Sequence, residues 1–233
     1  SKSAYYLIMP VSDPQVTGVD DFGAQVHINE NNFSDKSKYS RLIHELGSSH
    51  FWENNISIEK LDLEVEAVEL VPGAKVTDFM RFSPGLIRTN FIVSEMVKKI
   101  ISSQADHLVY FFDTVLLGNS TRYRYALMYV ECLDFLDVDL NHTNFVSGDM
   151  VFGYAKHQIT SREDFMSFSN TPDATVTNLK LKPDLAIRPD ILTFMGKLYV
   201  SEKLAQALSE NNVSGIKIFE ESRDKRVLVE NKV

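Results

Sequence analysis

The chain has 233 residues, of which 44% are apolar and 24% are charged, so it can bury a core without disulfides or metal ions. The formal net charge of −8 disfavours nucleic-acid binding, because phosphate contacts need clustered Lys and Arg. The single cysteine, Cys132, excludes an intrachain disulfide framework, and no apolar run has the roughly 18 residues of a membrane helix. We therefore expect a cytoplasmic protein that binds neither nucleic acid nor membrane.

The first elements are a strand and a short helix. Ala4–Val11 is predicted to be a strand that ends near Pro10, and Tyr39–Leu46 a helix with its apolar residues on one face. His44 and Glu45 begin like the zinc-protease motif H-E-x-x-H, but Ser48 occupies the second His position. We therefore predict no metal site here.

The segment Ile56–Leu70 alternates apolar and acidic residues, which predicts a strand with one acidic face. This face is either an ordinary solvated surface or a docking patch for a basic partner. Just before it, Trp52 is either a core residue or an interface anchor. The candidate partner-binding residues are thus Trp52, Glu59, Asp62, Glu64, Glu66 and Glu69.

A turn at 118–120 predicts a boundary between two halves, residues 1–119 and 120–233. Beyond it, Arg122–Leu140 is predicted to be a strand pair, or a strand followed by a bend, and Phe145–Tyr154 a further strand. Carboxylates cluster at the end of the first of these segments. They are either a solvated face or the metal-binding centre of an enzyme, and they are Asp134, Asp137 and Asp139.

The chain contains one strand–helix–strand pattern twice, in residues 77–112 and 190–219. The triplet Val-Ser-Glu occurs in both, and the apolar register after it needs no gap. In each copy the Ser is predicted to cap the helix and the Glu to face the positive end of its dipole. The matched residues are Asp78 with Asp190, Phe82 with Phe194, Ser94 with Ser201, Val97 with Leu204, and Ile101 with Leu208.

The sequence contains no pattern that combines a nucleophile, a base and an orienting group. Ser94 and Ser201 lack the flanking glycines of a nucleophile elbow, and no glycine-rich phosphate loop occurs. We therefore expect no catalytic residue, metal or cofactor. The predicted fold class is α+β, with two related halves that each contain one copy of the repeat.

Motifs over about residues 60–219 resemble the immunity protein 11 family of bacteria. The resemblance rests on the order of these motifs and on the doubled Val-Ser-Glu; residues 1–58 match none of them. The matching segments are Gly73–Phe79, Ile92–Glu95, Tyr125–Asp137, Pro189–Ile191, Tyr199–Leu204 and Val213–Ile216.

Membership would imply a protein that guards a bacterium by binding a polymorphic or contact-delivered toxin encoded beside it. The family motifs assign no toxin-binding residue. The acidic composition would suit a basic toxin such as a nuclease. Two alternatives stay open: a metal-dependent enzyme that uses the Asp cluster, and an adaptor or chaperone for an effector.

Overall fold

The computed structural model describes residues 5–20, 23–47, 57–105 and 108–220, and it confirms the predicted α+β class. The α-helices within these ranges are α1 (Pro14–Thr17), α2 (Lys36–Leu46), α3 (Glu95–Gln104), α4 (Arg162–Ser169) and α5 (Glu202–Glu210). The strands are β1 (Tyr5–Pro10), β2 (Val26–His27), β3 (Ala67–Leu70), β4 (Phe79–Met80), β5 (Phe82–Ser83), β6 (Phe91–Ser94), β7 (Val109–Gly118), β8 (Thr121–Val130), β9 (Asn144–Asp149), β10 (Gly153–His157), β11 (Thr175–Thr177), β12 (Ile191–Phe194), β13 (Lys197–Ser201) and β14 (Ile216–Glu220).

These strands form three sheets. The largest has seven strands in the order β4-β6-β8-β7-β3-β2-β5, the second has four in the order β12-β13-β1-β14, and the third has three in the order β10-β9-β11. None of the helices in the described ranges is long and apolar enough to span a membrane.

The described residues group into two compact units. One contains residues 5–8, 132–205 and 218–220, and the other contains 206–217 and the described part of 9–131. The predicted boundary at 119/120 lies in the turn that joins β7 to β8, inside the second unit. Asn119 and Ser120 have φ values of 50° and 60°, which suits a two-residue hairpin turn. These units therefore differ from the predicted halves 1–119 and 120–233.

Each unit has its own apolar core. In the larger unit, Leu42 and Leu46 of α2 are fully buried against the seven-stranded sheet, so the predicted helix is confirmed. In the smaller unit, Phe165 and Phe168 of α4 both pack against Phe145 of β9.

The predicted strand Ile56–Leu70 is wrong over most of its length. Ile58–Leu61 is a 3₁₀ helix that ends at Asp62, whose φ of 48° is left-handed, and strand pairing begins only at Ala67. The intervening carboxylates bond to side chains and backbone elsewhere in the unit, as described below. These bonds hold the segment away from the sheet although its apolar residues alternate.

The repeated strand–helix–strand unit is confirmed, and its two copies share one pairing register. In the first copy β4 pairs with β6, α3 follows, and β7 completes the unit; in the second, β12 pairs with β13, followed by α5 and β14. The equivalent cross-strand pairs are Phe79↔Val93 with Ile191↔Val200, and Met80↔Ile92 with Leu192↔Tyr199.

The same polar cap begins the helix in both copies. Ser94 Oγ donates to Asp78 Oδ1 at 2.9 Å, and Ser201 Oγ donates to Asp190 Oδ1 at 2.7 Å. Each Ser Oγ also accepts a hydrogen bond from a backbone N–H in the first turn, as predicted for an N-cap. These donors are the N–H groups of Val97 and Leu204.

The N-terminal strand β1 completes the second copy. It lies between β13 and β14, as β8 lies between β6 and β7. Tyr5 is opposite Ser201, and Tyr125 of β8 is opposite Ser94. Tyr5 donates to the carbonyl of Pro189 at 2.6 Å and Tyr125 to that of Thr77 at 2.9 Å, each the residue before the capping Asp. The two copies are thus four-stranded units related by circular permutation.

Candidate protein-binding surfaces

The predicted Asp cluster does not form a metal centre in the structure. The predicted strand followed by a bend is confirmed, since β8 ends at Val130 and a 3₁₀ turn covers Phe135–Asp137. Asp134 accepts from the N–H of Leu136 at its start, while Asp139 accepts from His142 Nδ1 at 2.8 Å. Across the described ranges, no three His, Cys, Asp or Glu side chains are placed to hold a metal ion.

A serine–histidine pair occurs between β9 and β10. Ser147 Oγ and His157 Nε2 are 2.6 Å apart, and the imidazole ring packs against Phe168. Ser147 is only 6% exposed, so a substrate has little access to its hydroxyl. The pair joins the two strands of a hairpin.

Two carboxylates of the predicted acidic face converge on one lysine. Lys38 Nζ lies 2.7 Å from Glu64 and 3.1 Å from Glu66. Glu66 also accepts from the N–H of Ser34 at 2.6 Å and from its hydroxyl at 2.7 Å. The bonds from Ser34, and then the bond from Lys38, lower the pKa of Glu66 to about 2. Ser34 and Lys38 therefore hold the Glu66 carboxylate at the surface of the unit, where its side chain is 23% exposed.

The other predicted partner-binding residues are separated from this pair. Glu69 accepts from Asn29 at 2.9 Å and from Asn32 at 3.1 Å, and these bonds, chiefly that from Asn29, lower its pKa. Glu59 and Asp62 are exposed on the 3₁₀ helix and at its end. Trp52 lies outside the described residues.

A cleft of about 620 Å³ opens beside β7 in the larger unit. The segment 63–66 forms one wall, and α3, β7 and β8 supply the rest. Two ion pairs lie within it: Lys98 with Asp113 at 2.5 Å, and Arg124 with Glu95 at 4.0 Å. Glu64 and Glu66, which also line the cleft, pair with Lys38 as described above. The charged residues of the lining are four carboxylates and two cations: Glu64, Glu66, Glu95, Asp113, Lys98 and Arg124.

Thr114, on β7, also lines this cleft. The residue is 6% exposed, and its Oγ1 is buried without a hydrogen-bond partner among the described residues. A buried hydroxyl without a partner costs free energy, so such groups are uncommon in folded proteins. Like the hydroxyl of Ser147, this Oγ1 is buried and gives a bound group little access.

The tip of the β9–β10 hairpin is an exposed apolar surface. It consists of three consecutive residues whose exposed fractions are 80% for Met150, 81% for Val151 and 90% for Phe152. Asp149 Oδ1 accepts from the N–H of Val151 at 2.8 Å and from that of Phe152 at 2.7 Å. The carboxylate thereby fixes the turn that presents these side chains.

The sequence prediction of one strand over Phe145–Tyr154 missed this tip. The signal was present in the residues Gly148-Asp149 before the apolar triplet and Gly153 after it, because Gly and Asp favour turns. The run is a hairpin, and its apolar triplet Met150, Val151 and Phe152 lies in the turn.

Comparison with models of known protein families finds none that matches the chain, and comparison with curated proteins finds no match either. The resemblance to the immunity protein 11 family therefore stays a prediction.

Proposed function

We propose that this chain is a bacterial immunity protein that neutralises a cognate toxin in the cytoplasm by binding it directly. The motif order and the doubled Val-Ser-Glu of the family resemblance support the proposal. The structural observation that carries it is the hairpin tip, where Met150, Val151 and Phe152 are at least 80% exposed.

An exposed apolar tip of this kind suits an interface anchor. Single exposed apolar residues are common on protein surfaces, but a contiguous apolar group on a fixed turn favours a binding role. Interface energy is concentrated in a few large side chains that enter pockets of the partner. Burial of a side chain such as Phe152 contributes about 1.5–3 kcal/mol.

The acidic charge supports a basic toxin, such as a nuclease, as the partner. A net charge of −8 would speed association with a basic surface and would repel acidic proteins. Among the acidic candidates, Glu59, Asp62 and Glu64 are the exposed ones. Glu66 and Glu69 hold the fold through the hydrogen bonds described above.

The test is co-expression with the products of the neighbouring genes, followed by purification and an activity assay on the complex. We expect a stoichiometric complex in which the toxin is silent. Phe152→Ser should weaken the affinity of the chain for the toxin by about 2 kcal/mol, or roughly 30-fold. The matched control is Ile187→Ser, since Ile187 is 66% exposed in a different loop and should leave affinity unchanged.

Other outcomes would support the alternatives. A complex in which the toxin keeps its full activity would indicate an adaptor or chaperone. Protection that is lost after dialysis against a chelator, without unfolding, would indicate a metal-dependent enzyme. Equal losses of affinity in Phe152→Ser and Ile187→Ser would show that the hairpin tip is not part of the interface with the toxin.

A further inference from the structure

The cleft beside β7 exists because the segment before β3 leaves the sheet. β3 pairs with β7 in parallel from Ala67↔Val115 to Glu69↔Leu117. Just before this pairing, the bonds of Glu66 to Ser34 and Lys38 draw the chain away. Among the described residues, no strand pairs with the edge of β7 that precedes Val115, and this edge forms a wall of the cleft.

The backbone groups of this edge alternate in direction. In a two-residue hairpin the residues that flank the turn, here Gly118 and Thr121, exchange both of their hydrogen bonds. The even-numbered residues of β7 then face β8, and the bond from Glu131 N to Leu108 O agrees with this phase. The odd-numbered residues face the opposite edge.

Three of these odd-numbered residues precede the pairing with β3. Their N–H and C=O groups point toward the open edge, and no described residue forms a backbone hydrogen bond with them there. An unpaired strand edge is a template for another strand. The three residues are Val109, Phe111 and Asp113.

We propose that this cleft binds an extended segment of a partner polypeptide, which adds to β7 as a strand and carries basic side chains. Main-chain bonds to the free edge supply affinity, as in other complexes formed by strand addition. The lining has four carboxylates and two cations, and this excess of negative charge favours Lys or Arg on the bound segment. This site is distinct from the hairpin tip, and the proposal holds whether or not the partner is a toxin.

Amide hydrogen exchange tests the proposal on the protein itself. The probe is a peptide of about ten residues, selected for binding to the intact chain from a displayed random library. In the free protein the amides of Phe111 and Asp113 should exchange fast, and those of Phe112 and Thr114 slowly. Saturating peptide should slow the exchange of Phe111 and Asp113 at least tenfold and leave Phe112 and Thr114 unchanged.

Methylation of the peptide backbone tests whether the bound peptide pairs with β7 through one edge of its own strand. Methyl groups on alternate peptide nitrogens block one edge of the bound strand and leave the other free. We expect one set of alternate methylations to weaken binding at least tenfold and the complementary set to have little effect.

One variant and its matched control connect binding to the cleft. Asp113→Lys should weaken the binding of a Lys- or Arg-bearing peptide at least tenfold, whereas the same charge change at the exposed Glu210, outside the cleft, should not.

Three results would overturn the proposal. One is a library that yields no peptide whose binding depends on Asp113. Another is a peptide whose two alternate methylation sets have equal effects. The third is slow exchange of the Phe111 and Asp113 amides in the free protein, since that would show that this edge is already paired.

Discussion

Replacement of the capping aspartates should affect the two copies of the repeat unequally. Asp78 accepts from Ser94 Oγ and also from the N–H and hydroxyl of Ser214, all at 2.9 Å. Asp190 accepts from Ser201 Oγ at 2.7 Å. Ser214 thus donates two hydrogen bonds to the Asp78 carboxylate. It donates none to the carboxylate of Asp190.

The expected magnitudes follow from these bonds. A hydrogen bond to a charged group contributes about 1.5–3 kcal/mol, but the contributions are not additive and the freed hydroxyls regain water. We expect Asp78→Ala to lower the free energy of unfolding by about 3 kcal/mol and Asp190→Ala by about 1.5 kcal/mol. Ser94→Ala and Ser201→Ala remove equivalent caps and should each cost about 1 kcal/mol.

Urea titration followed by circular dichroism measures these differences. The amides of Val97 and Leu204, which donate to the two capping Ser side chains, give a local check by hydrogen exchange. Asp78→Ala should cost at least 1 kcal/mol more than Asp190→Ala. Equal costs for the two Asp variants would refute the reasoning that the Ser214 bonds stabilise the larger unit.

Two further predictions concern a titrating carboxylate and a turn. The folded-state pKa of Glu66 is lowered from 4.5 to about 2, so its ionised form stabilises the fold above pH 4.5 and this contribution disappears as pH falls to 2. The stability difference between wild type and Glu66→Gln, measured by urea titration, should therefore be largest at neutral pH and vanish near pH 2; a difference independent of pH would contradict this. Gly215→Ala should cost more than about 2 kcal/mol, because φ is +93° and the new Cβ would lie 2.1 Å from the carbonyl oxygen of Phe79. Gly196→Ala, with φ +73° and open space around the new Cβ, should cost only about 1 kcal/mol in the same thermal or urea unfolding, and equal costs would count against the clash.

The repeat could be predicted from sequence because its determinants are local. A capping Ser, an acidic first turn and apolar residues at helical spacing occur within about ten residues of one another. The structure places several aligned residues in equivalent pairs, such as Phe79↔Val93 and Ile191↔Val200. The predicted match of Phe82 with Phe194 is wrong in pairing, because Phe82 lies opposite Val26 of β2 and Phe194 opposite Lys197 of β13. The Asp–Ser bonds show why the aligned Asp residues belong to the pattern.

The role of the N-terminal strand could not be found in the same way. The repeat is visible in the sequence as two contiguous segments, but the second copy takes its strand β1 from the opposite end of the chain. The shared Tyr, at positions 5 and 125, was visible in the sequence. Its structural role depends on a hydrogen bond from Tyr5 to the carbonyl of Pro189, which is 184 residues away in the sequence.

The acidic face was predicted from an alternation of apolar and acidic residues that is typical of a strand, but strand pairing begins only at Ala67. The alternation of Leu61, Leu63 and Val65 suits a strand, yet Asp62 takes a left-handed conformation. The partners of the carboxylates, such as Lys38, are more than 25 residues away. No local pattern indicates such bonds, so the cleft they open beside β7 was not predictable.

Co-purification followed by an activity assay tests most directly whether the chain acts by binding a toxin. The chain is co-purified with each product of its neighbouring genes, and the toxin activity of any complex is assayed. We expect a one-to-one complex in which the toxin is silent and regains activity when the complex is dissociated. Failure to bind any neighbouring product, or a complex with full toxin activity, would contradict this expectation.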